Sequence, residues 1–408
     1  MFVFMELKKI HISDIGKVVT GKTPRTSVVE NYGGDIPFLT PSDDLSHKSA
    51  PKTTKTLTEQ GLNEVRNCLL PSHSICVSCI GSDLGKVVMT IEPTVTNQQF
   101  NSIIPNKNFN ADFVYYLMTL AGRELNYLSK TSTAVPIINK SSFSNYEIEV
   151  PDLETQKRIA SILSSIDSKI ELNRRINDNL EQQTQTLFKS WFVDCPNPDW
   201  EETTLSEVAS FIGGYSYKGD ELADNSDIAM ATIKNFGRNG GFKVDGFKDI
   251  TPSTKLKECQ YVEMFDILVA HTDLTQNADV IGNAELLLTY GKYDKVIFSM
   301  DLVKVLPKNN FPYKFLLAAM LKNKIFKGHC LGYVNGTTVL HLNKKALPEF
   351  EIRIPSEYEA RKMNDTLAPY FKQMAEVLQE NDRLICLRDT LLPKLMSGEL
   401  KICEIETE

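Results

Sequence analysis

The sequence predicts an α+β protein: two similar lobes of mixed helix and strand, each running into one long helix, with the two long helices packed as an antiparallel coiled coil. Three observations lead there. First, the 408-residue chain repeats itself at an offset of 204, since Thr133-Ala134-Val135, Asn139-Lys140 and Lys157-Arg158 return as Thr337-Thr338-Val339, Asn343-Lys344 and Arg361-Lys362. A period of this size is a duplicated domain rather than a solenoid. Second, the early part of each copy shows short β-rich runs bounded by Gly, Pro, Ser and Asp. Third, each copy ends in a heptad-patterned segment.

The first lobe, residues 1–150, carries strand signals at 36–39, 75–80, 86–91 and 101–104. Asp112 is placed to cap a helix whose apolar residues Phe113, Tyr116, Leu117 and Leu120 follow the i, i+3, i+4, i+7 rule. A last strand at 147–150 stops at Pro151. The second lobe, residues 196–354, repeats the order with strands at 228–233, 266–270, 279–288, 298–306 and 349–354 and a helix at 313–324. It is longer by about a dozen residues, because 98 positions between Asp35 and Thr133 become 110 between Asp227 and Thr337. The surplus is expected in loops.

Residues 151–195 form the central helix. Pro151 followed by Leu153-Glu154 is a helix start, and the pattern continues without Gly or Pro to about Val193. Roughly 40 helical residues span about 60 Å. The apolar seam reads Ile159, Leu163, Ile166, Ile170, Leu180, Leu187 and Trp191, interrupted by Asn173 and Asn177. In residues 355–408 the matching seam is Leu367, Tyr370, Met374, Val377, Asn381, Leu384, Leu391 and Leu395. Pro369 is expected to kink this helix or end its first turn. A lone amphipathic rod leaves its seam wet, so the two rods are expected to pack on each other, with the Asn residues fixing register. The alternative is each rod packed on its own lobe.

With 42% hydrophobic and 24% charged residues, the composition is that of an ordinary globular protein. No apolar run approaches the roughly 18 residues of a membrane span. The apolar start lacks a basic region and does not read as a signal peptide, and eight scattered cysteines fit reduced thiols. The expected location is the cytoplasm, with no membrane partner. The net charge of −7 argues against attraction of nucleic acid by the molecule as a whole. The two helical segments hold most of it, −2 and −4, against 0 and −1 for the lobes.

No catalytic constellation stands out. The turn Gly81-Ser82-Asp83-Leu84-Gly85-Lys86 is too short for a phosphate loop and has Val87 where a hydroxyl belongs, so a tight turn between strands explains it. Asn197-Pro198-Asp199-Trp200 lacks the second proline of the amino-methyltransferase tetrapeptide and reads as a linker. His73, Cys76 and Cys79, with Cys68, lack the second pair of a zinc site. The carboxylates of Asp152 and Glu154 suit helix capping better than a nuclease core.

Loop residues offer more. Lys22, Thr23 and Arg25 in the first lobe are matched by Tyr215, Ser216, Tyr217 and Lys218 in the second. Cations suit phosphates, while Asn and Gln can grip adenine and Ser or Thr can address base edges. Gln98, Gln99 and Asn101 fit that use, as do Lys234-Asn235, Arg238-Asn239, His271-Thr272 and Gln276-Asn277.

At this point the chain resembles the specificity subunit of type I restriction-modification systems. The resemblance rests on Gly21-Lys22-Thr23-Pro24, the turn from Ile80 to Val87, Asn97-Gln98-Gln99-Phe100-Asn101 and the stretch from Thr133 to Lys140. It continues through Pro151-Asp152-Leu153-Glu154-Thr155-Gln156-Lys157-Arg158-Ile159 and Leu187-Phe188-Lys189-Ser190-Trp191-Phe192. It closes with Ile354-Pro355 and Leu391-Leu392-Pro393-Lys394-Leu395-Met396-Ser397-Gly398-Glu399.

The resemblance implies a DNA reader without catalytic activity. Each lobe would be a target-recognition domain for one half of a split, asymmetric sequence on double-stranded DNA, and the paired helices would set the gap. Two methyltransferase subunits, carrying S-adenosylmethionine, and restriction subunits would be the partners; this chain would bind no cofactor or metal. Thr40, Ser42, Ser82, Asp83, Lys86, Thr133 and Thr337 then join the loop residues above as candidate DNA contacts. The competing readings are a coiled-coil scaffold, or a stand-alone methyltransferase or nuclease with a duplicated domain.

Overall fold

A computed structural model describes residues 5–50, 52–81, 83–129, 137–238 and 240–400. Ser82, Thr133 and Asn239 lie outside the described residues. The chain forms two compact units, one of Met1–Lys169 with Leu384–Glu408, the other Ile170–Arg383.

In the first unit, strand Lys8–His11 pairs antiparallel with Glu147–Val150, Lys8 opposite Val150, which ties the beginning of the lobe to its end. Gly16–Thr20, Phe100–Pro105, Ile75–Ser78 and Val87–Met89 make a four-stranded antiparallel sheet in that order. A second sheet runs Lys55–Leu57, Tyr32–Leu39, Thr94–Thr96, Leu69–Leu70, and within it Tyr32–Leu39 and Thr94–Thr96 are parallel, Leu39 opposite Thr96. The two-residue alternation of a strand explains why Ile75–Ser78 is buried throughout. Ile75 and Val77 join a core with Phe113 and Tyr116 of helix Ala111–Ser129, while Cys76 joins a core with Phe38 and Val95 of the second sheet. That helix is capped by Asn110, whose Oδ1 accepts the Phe113 N–H at 2.9 Å. Asp112, expected as the cap, instead pairs with Lys48 at 2.7 Å.

The second unit repeats the plan. Glu201–Thr204 pairs with Glu351–Ile354, and Ala209–Gly213, Leu302–Pro307, Ile267–Ala270 and Ala284–Leu286 form the antiparallel sheet. Lys248–Asp249, Ile228–Ala231, Lys295–Phe298 and Tyr261–Val262 form the other, with Ile228–Ala231 and Lys295–Phe298 parallel. Strand starts 75 and 267 differ by 192, and 100 and 302 by 202, so ten surplus residues enter between these two strands. Strand structure in the expected 279–288 run is confined to Ala284–Leu286. The helix expected at 313–324 is two helices, Lys314–Leu321 and Lys324–Leu331. Asn323 restarts the second by accepting the N–H groups of Ile325 and Phe326 at 2.8 and 3.1 Å.

The central helix, Leu153–Lys189, has 37 residues, about 55 Å of α-helix, and ends in a π turn at Ser190–Asp194. Asp152 caps it, accepting the Thr155 N–H at 3.0 Å and its hydroxyl at 2.9 Å. These bonds hold the Asp152 carboxyl below its ordinary range. The C-terminal helix, Glu357–Ser397, opens with a reciprocal cap between Ser356 and Glu359. Glu359 also accepts from Asn197 and from the Trp200 indole at 3.3 and 3.1 Å. Pro369 does not end this helix, which runs through it and through Pro393. Both prolines are exposed, so the carbonyls they deprive of a donor face water.

Within the second unit the helices run antiparallel: Asn173 meets Asn381, and Asn197 and Trp200, beyond the central helix's end, meet Glu359 near the other helix's start. Asn173 Nδ2 donates to Asn381 Oδ1 at 2.9 Å and to Glu380 at 2.7 Å, forming a buried polar layer. In the first unit Arg388 donates to Asp167 at 2.9 Å, and Tyr116 donates to the other oxygen of that carboxylate at 2.5 Å.

The seam is shared with the lobes. Ile159, Leu163, Leu392 and Leu395 are buried in the first lobe's core. Leu180, Phe188, Leu367, Phe371 and Met374 are buried in the second's, with Leu187 and Trp191 packed against it. Ile166 and Ile170 are buried, whereas Leu384 and Leu391 are half-buried. The two packing modes weighed from the sequence therefore coexist, and Leu392 is buried more deeply than Leu391 because the lobe adds a second wall. Among the described residues no helix is long and apolar enough to cross a membrane.

Candidate nucleic-acid interface

In each lobe three loops gather where the two parallel strands end. Chains leaving adjacent parallel strands do so at the same edge, which brings distant sequence side by side. In the first lobe the strands end at Leu39 and Thr96, and the Asn97 N–H donates to the Leu39 carbonyl at 3.1 Å. The third loop joins through the Lys22 N–H, which donates to the Thr96 carbonyl at 2.9 Å. Only glycine fits at position 21, because a Cβ there would lie 2.1 Å from the Asn97 carbonyl oxygen.

The second lobe reproduces this bond for bond. Ser299 N–H donates to the Ala231 carbonyl at 2.9 Å and Tyr215 N–H to that of Phe298 at 2.7 Å. A Cβ on Gly214 would lie 2.1 Å from the Ser299 carbonyl oxygen. The turns after the first strand also match. Asp43 Oδ2 accepts the Thr40 N–H at 2.8 Å, and Asn235 Oδ1 accepts the Thr232 N–H at 2.8 Å. Ser42 and Lys234 are thereby the same exposed position in the two lobes.

Several candidate contacts form the frame instead of the exposed surface. Asn101 is buried between the Thr20 hydroxyl at 2.7 Å and the Ile138 carbonyl at 3.2 Å. Asn235 is buried and donates to the Lys243 carbonyl at 2.7 Å, and Thr40 is held by Asp43 and Ser42. Buried Tyr215 donates to Glu221 at 2.7 Å; Ser253, the Lys218 backbone and Tyr215 together pull that carboxyl down to about 2. Thr272 is buried on Asp301 at 3.1 Å, and His271 donates its backbone N–H to the Asp301 carbonyl at 2.8 Å. Burial, then His341 and Lys344, lower the His271 pKa. Arg25 and Lys86 are exposed but paired: Arg25 is held on Glu64 by guanidinium bonds of 2.9 and 2.7 Å, which with the Arg25 backbone bond bring Glu64 down to about 2, and Lys86 pairs with Asp83 at 2.8 Å.

The remaining candidates stand on the outside. Lys22, Ser42, Gln98, Ser216, Lys218, Lys234, Arg238, Asn277 and Thr337 are exposed. Thr23 donates its hydroxyl to Gln98 Oε1 at 2.6 Å, which orients the Gln98 amide. Gln99 accepts from Asn97 at 2.8 Å, and Tyr217 receives Lys248 at 3.1 Å. Arg238 lies 3.7 Å from Asp279, and the Thr337 carbonyl accepts from Gln276 at 2.6 Å. Lys22 and Lys234 have no ion-pair partner among the described residues. Each lobe thus offers polar and cationic tips on a rigid frame, suited to phosphates and base edges. The thiol of Cys76, fully buried, is pushed up to about 12 by burial, which keeps it neutral.

The sequence reading did not single out Met300, which stands on the second-lobe turn that corresponds to the Gln98-Gln99 turn of the first: an apolar side chain carries no polar signal, and the offset from Gln98 is 202 instead of 204.

A family model described as the type I restriction modification DNA specificity domain matches twice, at residues 5–182 and 197–384. The chain is 26% identical to the type I restriction enzyme MjaIX specificity subunit of Methanocaldococcus jannaschii, over 98% of this chain and 94% of that protein. It is 36% identical to the HindI specificity subunit of Haemophilus influenzae over 41% of this chain and 38% of that one. Its fold is similar to the crystal structure of a type I restriction-modification S subunit from M. genitalium, with a TM-score of 0.50, 18% identity and 96% of each chain covered.

Proposed function

This chain belongs to the type I restriction modification DNA specificity domain family, a non-catalytic specificity subunit with two target-recognition domains, and from that premise we propose which of its surfaces read DNA. The recognition domains are residues 1–150 and 196–354, and the helical segments 151–195 and 355–408 determine the gap between the two half-sequences. Thr23, Ser42, Gln98 and Gln99 read one half-sequence and Ser216, Tyr217, Lys218, Arg238 and Asn277 read the other, while Lys22 and Lys234 hold the backbone phosphates beside them. Asn101, Asn235, Thr40, Thr272 and Tyr215 act by holding the loops.

The observation that supports this most is that the same backbone bonds join the loops in two lobes whose exposed tips differ: one scaffold, two vocabularies. Two methyltransferase subunits bring S-adenosylmethionine and the methylation chemistry, restriction subunits bring cleavage, and the assembly works in the cytoplasm on double-stranded DNA. Because this chain carries net charge −7, its partners supply much of the nonspecific phosphate attraction. Binding is therefore weak for this chain alone and tight for the complex.

Methylation mapping of DNA from cells that express the chain with its methyltransferase partner tests the reading. The expected result is one split motif with a fixed gap. Methylation at a continuous motif, or turnover by the purified chain alone, would refute it.

A further inference from the structure

We infer that Met300 is a specificity-determining residue of the second lobe, and that it reads a thymine by packing on its 5-methyl group in the major groove. This rests on the reading above and names one word of it.

Met300 occupies the place that Gln98 holds in the first lobe. Both sit in a two-residue turn whose start and end are fixed identically. Asn97 N–H donates to Leu39 and Phe100 N–H to Asn97, at 3.1 and 3.2 Å. Ser299 N–H donates to Ala231 and Leu302 N–H to Ser299, at 2.9 and 3.0 Å. The residues after them match as well, since the carbonyls of Gln99 and Asp301 each accept one N–H from the neighbouring strand end at 2.8 Å. The Met300 N–H adds a bond to the Tyr215 carbonyl at 2.9 Å, so the turn is anchored, and Met300 is 58% exposed.

Position and chemistry together define the ligand. A methionine cannot repeat what Gln98 does, because it has no N–H to donate and only a weak acceptor. It carries no charge for a phosphate. The thymine methyl is the apolar group that base edges present in the major groove, and an unbranched, polarizable thioether adapts to it. Ser216 and Lys234, on the two loops whose backbones are bonded to this turn, supply the hydroxyl and the cation that a methionine lacks.

The test uses the full chain assembled with its methyltransferase partner and duplexes carrying the mapped motif. Each thymine of the second half-motif is replaced in turn by deoxyuridine, which removes the methyl and leaves the hydrogen-bonding groups unchanged. For the wild type, one such replacement should weaken binding by about four-fold, the worth of one methyl withdrawn from contact. Met300→Ala should bind the thymine duplex about as weakly and be indifferent to that replacement, while Met300→Leu keeps the response. Both variants should respond to changes in the first half-motif as the wild type does, which shows them folded.

Indifference of the wild type to every deoxyuridine would overturn the assignment, as it would for an inserted wedge that needs no methyl. So would full sensitivity retained by Met300→Ala, or a second half-motif of G·C pairs alone. Loss of sequence-selective binding by the wild-type complex would overturn the underlying reading as well.

Discussion

Replacing Lys322 by Met removes the cation from a buried meeting of three charges in the second unit. The amine contacts Glu285 and lies 3.3 Å from Glu181, and Glu285 Oε1 also accepts the Gly241 N–H. The side chains of Lys322 and Glu285 are 9% and 5% exposed. Burial pulls the lysine pKa down, but attraction to Glu285 and Glu181 outweighs it and raises the amine above its ordinary 10.5. The stability it contributes in the wild type is therefore present below that value and lost as the pH rises above it. Methionine fills similar space but strands the Glu285 carboxylate, and breaking a buried pair in this way costs about 3–5 kcal/mol. For a unit of this size that is a fall in Tm of about 10 °C. Burial already raises Glu285 in the wild type against the pull of Lys322; in the variant, without that partner, its folded-state pKa rises further, so the native state gains a proton and the loss shrinks as pH falls from 8 towards 5. The chain's two tryptophans, Trp191 and Trp200, both lie in this unit, so their fluorescence during urea denaturation reports it alone. Adding Glu285→Gln to Lys322→Met should restore about 2 kcal/mol, since the amide can still accept from Gly241. A loss below about 1 kcal/mol at pH 8, or one independent of pH, would refute the reasoning.

Three further outcomes are expected. Gly21→Ala forces a carbon to within 2.1 Å of the Asn97 oxygen and should abolish reading of the first half-motif in methylation maps while sparing the second. Lys22→Ala and Lys234→Ala should each weaken binding evenly across sequences and lower the slope of log affinity against log salt by about 1. Arg388→Met leaves the largely buried Asp167 with Tyr116 alone; it should destabilise the first unit by about 3 kcal/mol, visible as faster amide exchange in helix Ala111–Ser129.

How much was legible differs by element. The alternation at Ile75–Ser78 and the seam at Ile159, Leu163 and Leu395 follow periodicities that belong to strand and helix alone, so local sequence suffices. The expected run 279–288 and the single helix 313–324 did not survive, because their apolar residues satisfy either pattern until Asn323 and the loops around Ala284–Leu286 are placed. Pro369 does not end its helix, because the harm a proline does depends on whether its face is buried, and here it is exposed. Loop polarity pointed to the candidate loops, but did not separate Gln98, on the surface, from Asn101, enclosed three positions later.

The duplication, the two lobes, the long helices and the regions of the candidate loops were determined by the sequence itself, since each rests on a repeat or on periodicity along a contiguous stretch. Which loop residue is exposed, which is part of the frame, and that Met300 answers Gln98 were decided only by the tertiary structure. The reason is that exposure and equivalence come from hydrogen bonds between strand ends far apart in the chain, such as Asn97 to Leu39 and Ser299 to Ala231, and no local pattern encodes them.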